Sequence, residues 1–98
     1  MSDVLEWWPD YDGQVLFLRR GRGGHPVDPA TLGLSEAVLD DLQRWSSVYA
    51  EENLPIGGPG DPCWLDEGIG LLHRVRAELA GRYEVVVTEP WWGERPAN

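Results

Sequence analysis

Apolar positions change their period along this chain, and the changes divide it into elements. Residues 3–8 (Asp-Val-Leu-Glu-Trp-Trp) read as a first strand that stops at Pro9. Residues 14–19 (Gln-Val-Leu-Phe-Leu-Arg) form the most apolar run, which suits a strand in mid-sheet. Between them lie Pro9, Asp10, Tyr11, Asp12 and Gly13. Proline presets φ, aspartate bonds local backbone and glycine accepts positive φ, so this is turn chemistry and the two runs predict a hairpin. Residues 20–33 read as a loop, flexible over about 20–31.

The period then becomes helical. Ser35 is a good N-cap, and Leu34 with Leu39 matches a hydrophobic staple. Val38, Leu42, Trp45 and Tyr49 recur at helical spacing and share one face. Glu51 and Glu52 fall where the helix dipole disfavours anions, so either the helix frays around Ala50 or these carboxylates face a basic partner. Residues 53–62 hold three prolines and three glycines, which excludes regular structure and leaves a helix–helix connection. Asp61 and Pro62 form a favoured helix start. The second helix has a buried stripe of Leu65, Ile69, Leu72, Val75 or Arg76, and Leu79, and Gly81 stands at its C′ position. Residues 83–89 are β-branched and predict a third strand, which Pro90 ends, leaving 90–98 as a tail.

The element order is ββααβ. It predicts one α+β domain over residues 1–98, a two-layer sandwich with a three-stranded sheet covered by a helical hairpin. The apolar second strand favours the sheet order 1-2-3. The order 2-1-3, with strands one and three parallel, is the alternative.

Charge narrows the partners. Seventeen acids oppose eight bases, a net charge of −9, and every base is arginine. Nucleic-acid binding rests on neutralising phosphates and is disfavoured, whereas a basic protein partner suits the field. The single Cys63 permits no internal disulfide and is expected to be a buried or half-buried apolar residue. The start of the chain lacks the basic and long apolar regions of a signal peptide, and no segment approaches the length of a bilayer span, so a cytoplasmic setting is expected and a membrane is not.

No residue pattern carries catalysis or metal binding. His73 lacks an i, i+4 ligand, and His25 has no partner near it in sequence. Asp61, Asp66 and Glu67 surround Cys63 and disfavour a thiolate. Adjacent carboxylates such as Asp40/Asp41, Glu51/Glu52 and Asp66/Glu67 point apart and read as solvated surface. Asp10, Asp12 and Gly13 lack the downstream glutamate of a calcium loop. No cofactor, metal or catalytic residue is therefore assigned, and an enzyme is not expected.

The six tryptophans are the strongest compositional signal. A chain of 98 residues can hide only some of them, and exposed indoles mark contact surfaces. Trp45 belongs to the core, and Trp64 is placed to cap the sheet edge. Strand alternation splits Trp7 from Trp8, one in and one out. Trp91 and Trp92 either fold back over the domain or, with nearby Arg95, form a hot-spot patch.

Three segments, Leu32 to Ser35 with its following leucines, Trp45, and Arg76 to Leu79 before Tyr83-Glu84-Val85, resemble a family of short, uncharacterised actinobacterial acidic proteins. The resemblance covers roughly residues 8–87. It implies a shared fold and carries over no catalytic residue.

The expected function is a small non-enzymatic protein-binding domain, of the immunity or antitoxin type, that blocks a basic partner. Its contact residues are expected to be Asp40, Asp41, Glu51, Glu52 and Arg95 with Trp7, Trp91 and Trp92 as anchors. The alternative is an accessory domain that takes a small molecule or peptide on exposed tryptophans. A homodimer is compatible with either.

Overall fold

A computed structural model of the chain describes residues 3–9, 14–20 and 23–95. It has the expected α+β class: a four-stranded mixed sheet and two helices. The strands are β1 (Asp3–Trp7), β2 (Leu16–Arg20), β3 (Gly23–Pro26) and β4 (Tyr83–Val87); the helices are α1 (Glu36–Ser47) and α2 (Pro62–Leu79). The turn at residues 10–13 and Arg22 lie outside the described residues.

The sheet corrects two expectations. The segment assigned to a loop contributes β3, paired antiparallel to β2 with Pro26 opposite Phe17. Glycines and a proline are poor strand formers, but an edge strand tolerates them because its outer backbone needs no partner. The sheet order is β3-β2-β1-β4, so the last strand joins β1, in parallel, rather than β2: the alternative order 2-1-3 holds and the favoured 1-2-3 does not. The two corrections share a cause. β3 follows β2 directly and takes its second edge, so β2 is closed to β4, which pairs with β1. The apolar second strand is central, as expected, with a different neighbour.

Strand alternation decides what faces the helices. Leu5 and Trp7 on β1 and Val85 and Val87 on β4 are buried, in the registers Leu5↔Val85 and Trp7↔Val87. Glu6 lies on the other face and pairs with Arg19 of β2 at 2.8 Å. Trp8 is half-buried, so the first tryptophan pair splits as alternation requires.

Both helix starts are as read from sequence. Ser35 accepts the Val38 N–H, and Asp61 accepts those of Cys63 and Trp64. The Glu78 carboxylate of α2 accepts the Ser35 N–H at 2.6 Å and its hydroxyl at 2.7 Å, so the second helix holds the cap of the first. These bonds, the backbone one foremost, keep the Glu78 carboxyl below its ordinary pKa. Gly81 has φ of +84°, as a helix-ending glycine does.

The first helix ends at Ser47, earlier than the hydrophobic period implied. Tyr49 still packs on the core, its ring 5.8 Å from that of Trp64. Glu51 and Glu52 sit in a separate 3-10 turn, Glu51–Asn53, and thus escape the negative end of α1.

Candidate functional site

The tryptophans are mainly core. Trp7, Trp45 and Trp64 form one stack, with centroids 5.6 Å apart between the first two rings and 4.3 Å between the last two. Trp92 meets all three rings tilted or edge-on, at 5.9 to 6.3 Å. Trp64 therefore joins the helices to each other instead of capping a sheet edge. The Trp45 indole N–H donates to the Trp64 carbonyl at 2.8 Å, and the Trp64 N–H donates to the Trp45 carbonyl at 3.2 Å.

This packing corrects the expected anchors. Trp7 is 0% exposed and Trp92 1%, so neither presents a surface, and Trp91 is half-buried. The tail folds back as a 3-10 turn, Pro90–Trp92, against α2. Gly68 makes room for it: a Cβ there would lie 2.3 Å from the Trp45 ring and 3.0 Å from the Trp92 ring.

The apolar exposure lies elsewhere. Among the described residues the large hydrophobic side chains left in solvent are Val48, 61% exposed, and Ile56, 56%. Both belong to the connection between the helices. That connection is braced: Asn53 donates its side-chain N–H to the Val48 carbonyl at 3.1 Å, and its carbonyl accepts the Asp61 N–H at 3.0 Å. Leu54 is buried beneath it.

Acids frame this end of the hairpin. Glu51, Glu52, Asp61, Asp66 and Glu67 are all exposed there, and Asp40 is exposed on α1. Asp41 is half-buried and committed within the chain. It binds Arg74 at 2.6 Å and Arg44 at 2.8 Å, and the Arg74 bond chiefly holds its carboxyl below the ordinary range. Other arginines are likewise used internally. Arg82 donates to the Leu32 and Glu78 carbonyls, and Arg76 to the Val85 carbonyl and both oxygens of Glu94. Arg44 also lies 4.0 Å from Glu67, at the edge of the acidic group. Arg95 is exposed, beside the β4 edge rather than near the acids at the hairpin end.

The remaining reactive residues are dispersed. Cys63 is exposed, correcting the expectation of burial, because the first turn of α2 turns it away from the stripe that starts at Trp64. His25 and His73 are exposed on different elements. No group of three or more histidine, cysteine or acidic side chains is placed to hold a metal ion among the described residues. No helix among them is long and apolar enough to cross a membrane.

Sequence reasoning missed Val48 and Ile56. Val48 follows Trp45 by three positions and would have joined the stripe had the helix continued. Ile56 carried a weak signal, a lone isoleucine among prolines and glycines. No protein-family model, curated protein or solved structure matches this chain.

Proposed function

We propose that the chain is a non-enzymatic protein-binding domain that holds a basic protein partner, as an inhibitor of the immunity or antitoxin type does. The observation that carries this reading is the coincidence of Val48 and Ile56 with Glu51 and Glu52 on one braced connection. Apolar anchors within a charged rim match the anatomy of protein interfaces, and the acidic rim selects a basic surface and speeds encounter. The net charge of −9 works against self-association and for an oppositely charged partner. A cytoplasmic setting and kinship with the actinobacterial acidic proteins belong to the same reading.

The test is affinity capture at low and high salt with three full-length baits: wild type, Ile56→Asp, and Glu51→Lys with Glu52→Lys. A basic protein retained by wild type in low salt and lost by both variants supports the reading. Equal capture by all three baits, or no basic protein with wild type, sinks it.

A second reading has one observation in its favour. A cavity of about 500 Å³ lies between α1 and the 3-10 turn Pro29–Leu32, with Val15, Leu39 and Leu42 as apolar lining and Asp28, Gln43 and Ser46 as polar groups. Its size and mixed lining suit a small ligand or a peptide side chain. No tryptophan lines it, so such a ligand would bind without direct indole contact. Protection of Leu39 and Leu42 amides from exchange by a metabolite panel would favour this reading over the first.

A further inference from the structure

The segment Pro90–Arg95 is a strap that reaches two separate receptors. Trp92 enters the aromatic cluster over Gly68, and Glu94 binds the Arg76 guanidinium through both carboxylate oxygens, one at 2.7 Å. Only Thr88 and Glu89 join the strap to β4.

The strap contact is where the core's polar accounting fails. Among the described residues the buried side-chain donors without a partner are the indole N–H groups of Trp7, Trp91 and Trp92. Two of these are strap residues, and the third belongs to the ring that Trp92 meets at 89°. Trp45 and Trp64, joined by helices rather than by the strap, have both N–H groups satisfied. Each orphaned donor is destabilising, and native proteins carry few of them. Local rules broken at one contact and kept beside it mark a functional seam.

The receptor residues stand on elements outside the strap. Trp7, Trp45 and Trp64 are placed by β1, α1 and α2. Arg76 is oriented by its own Nε–H bond to the Val85 carbonyl at 2.9 Å, which leaves the two terminal nitrogens as a fork for a carboxylate. Such preorganisation lowers the cost of binding. The groove also continues past the strap. A further volume of about 440 Å³ is lined by Arg76, Glu94, Arg95 and the length of β4, which is an edge strand of the sheet. A segment longer than the strap can run along that edge.

We propose that this groove is a docking site for an extended segment of a partner protein carrying an aromatic residue and, two positions later, a carboxylate, and that the strap occupies it within the same chain. The strap supplies the template: Trp92 fills the aromatic receptor and Glu94 fills the arginine fork. The site is distinct from the acidic hairpin end, and neither proposal rests on the other.

The test uses a dye-labelled peptide reproducing residues 88–95, titrated by fluorescence anisotropy against full-length wild type and full-length Glu94→Gln. Glu94→Gln loosens the strap and leaves every tryptophan in place; circular dichroism checks its fold. If the strap competes, the peptide binds Glu94→Gln about tenfold more tightly than wild type, because the open fraction sets the apparent affinity. Trp92→Ala in the peptide abolishes binding, and Glu94→Gln in the peptide weakens it. A full-length Trp92→Ala chain that remains folded binds the parent peptide too. The proposal is overturned by absence of saturable binding to folded Glu94→Gln and Trp92→Ala chains, or by equal binding of the parent and alanine peptides. Concentration-dependent wild-type dimers that the peptide dissociates would overturn the foreign occupant in favour of a second copy's strap.

Discussion

Trp45 and Trp64 lie in the same cluster as Trp7 and Trp92, yet the two pairs are built differently. The first pair closes on itself: two parallel rings, with each indole N–H on the other residue's carbonyl. The second pair meets edge to face, with both N–H groups buried and unpartnered. Burial is equal, since all four rings are nearly solvent-free. The difference is polar satisfaction, and it separates a contact that fixes the fold from one that the fold merely tolerates. The first joins α1 to α2; the second joins the end of the chain to everything else.

The largest effect should come from breaking the satisfied pair. Trp45→Ala removes the middle ring of the stack and the indole donor to the Trp64 carbonyl. A loss of about 3–5 kcal/mol is expected in urea unfolding. A loss below that of an ordinary surface truncation would show that the stack is not the centre of the core.

Gly68→Ala comes next. Helix propensity alone favours alanine by about 1 kcal/mol. The 2.3 Å approach of the Trp45 ring opposes it, and overpacking of this kind costs roughly 1–3 kcal/mol. Destabilisation in thermal unfolding is therefore expected, and stabilisation would mean that the rings can shift at little cost.

The sharpest comparison is Trp45→Phe against Trp92→Phe. Both lose the same ring volume. The first loses the hydrogen bond to the Trp64 carbonyl, which contributes about 0.5–1.5 kcal/mol beyond the volume. The second removes a donor that had no acceptor, so it should cost less. Equal losses in parallel denaturant titrations would erase the distinction between the pairs.

The smallest effect concerns pH, and one part of it belongs to the strap. The Arg76 hydrogen bonds, assisted by the positive charges of Arg76 and His73, hold the Glu94 carboxyl below its ordinary value of 4.5, against the opposing effect of burial. A carboxyl lowered in the folded state binds protons more readily when unfolded. Its stabilising contribution is complete above 4.5 and is lost as pH falls through the lowered value. Acidification below 4.5 should therefore shift tryptophan emission to the red as the strap loosens, and Glu94→Gln should remove that part of the titration. Asp41 and Glu78 are lowered in the same direction, so global stability also declines in acid. An unchanged emission titration in Glu94→Gln would assign the whole response to those two carboxylates.

Much of the architecture was legible residue by residue. Ser35, Asp61 and Gly81 carried the helix boundaries because capping is local backbone chemistry. Val38, Leu42 and Trp45 carried the buried face of α1 because periodicity is a property of neighbours. β3 was not legible, since Gly23, Gly24 and Pro26 have low strand propensity and pair only because β2 offers an edge. The candidate contact surface was half legible. Glu51 and Glu52 could be marked as unsuited to a helix end, while Val48 and Ile56 became notable only once their exposure was known.

The sequence by itself determined the α+β class, the helix starts, the connection between the helices and the division of Trp7 from Trp8. Each depends on interactions within a few residues or on which face of one element is apolar. Tertiary structure alone decided that β4 joins β1, that Trp92 is core and Cys63 is not, and that Arg76 and Glu94 meet. Those outcomes depend on competition between distant segments for the same edge, cavity or charge. The winner of that competition is set by the space and partners left by the rest of the fold, which no local window contains.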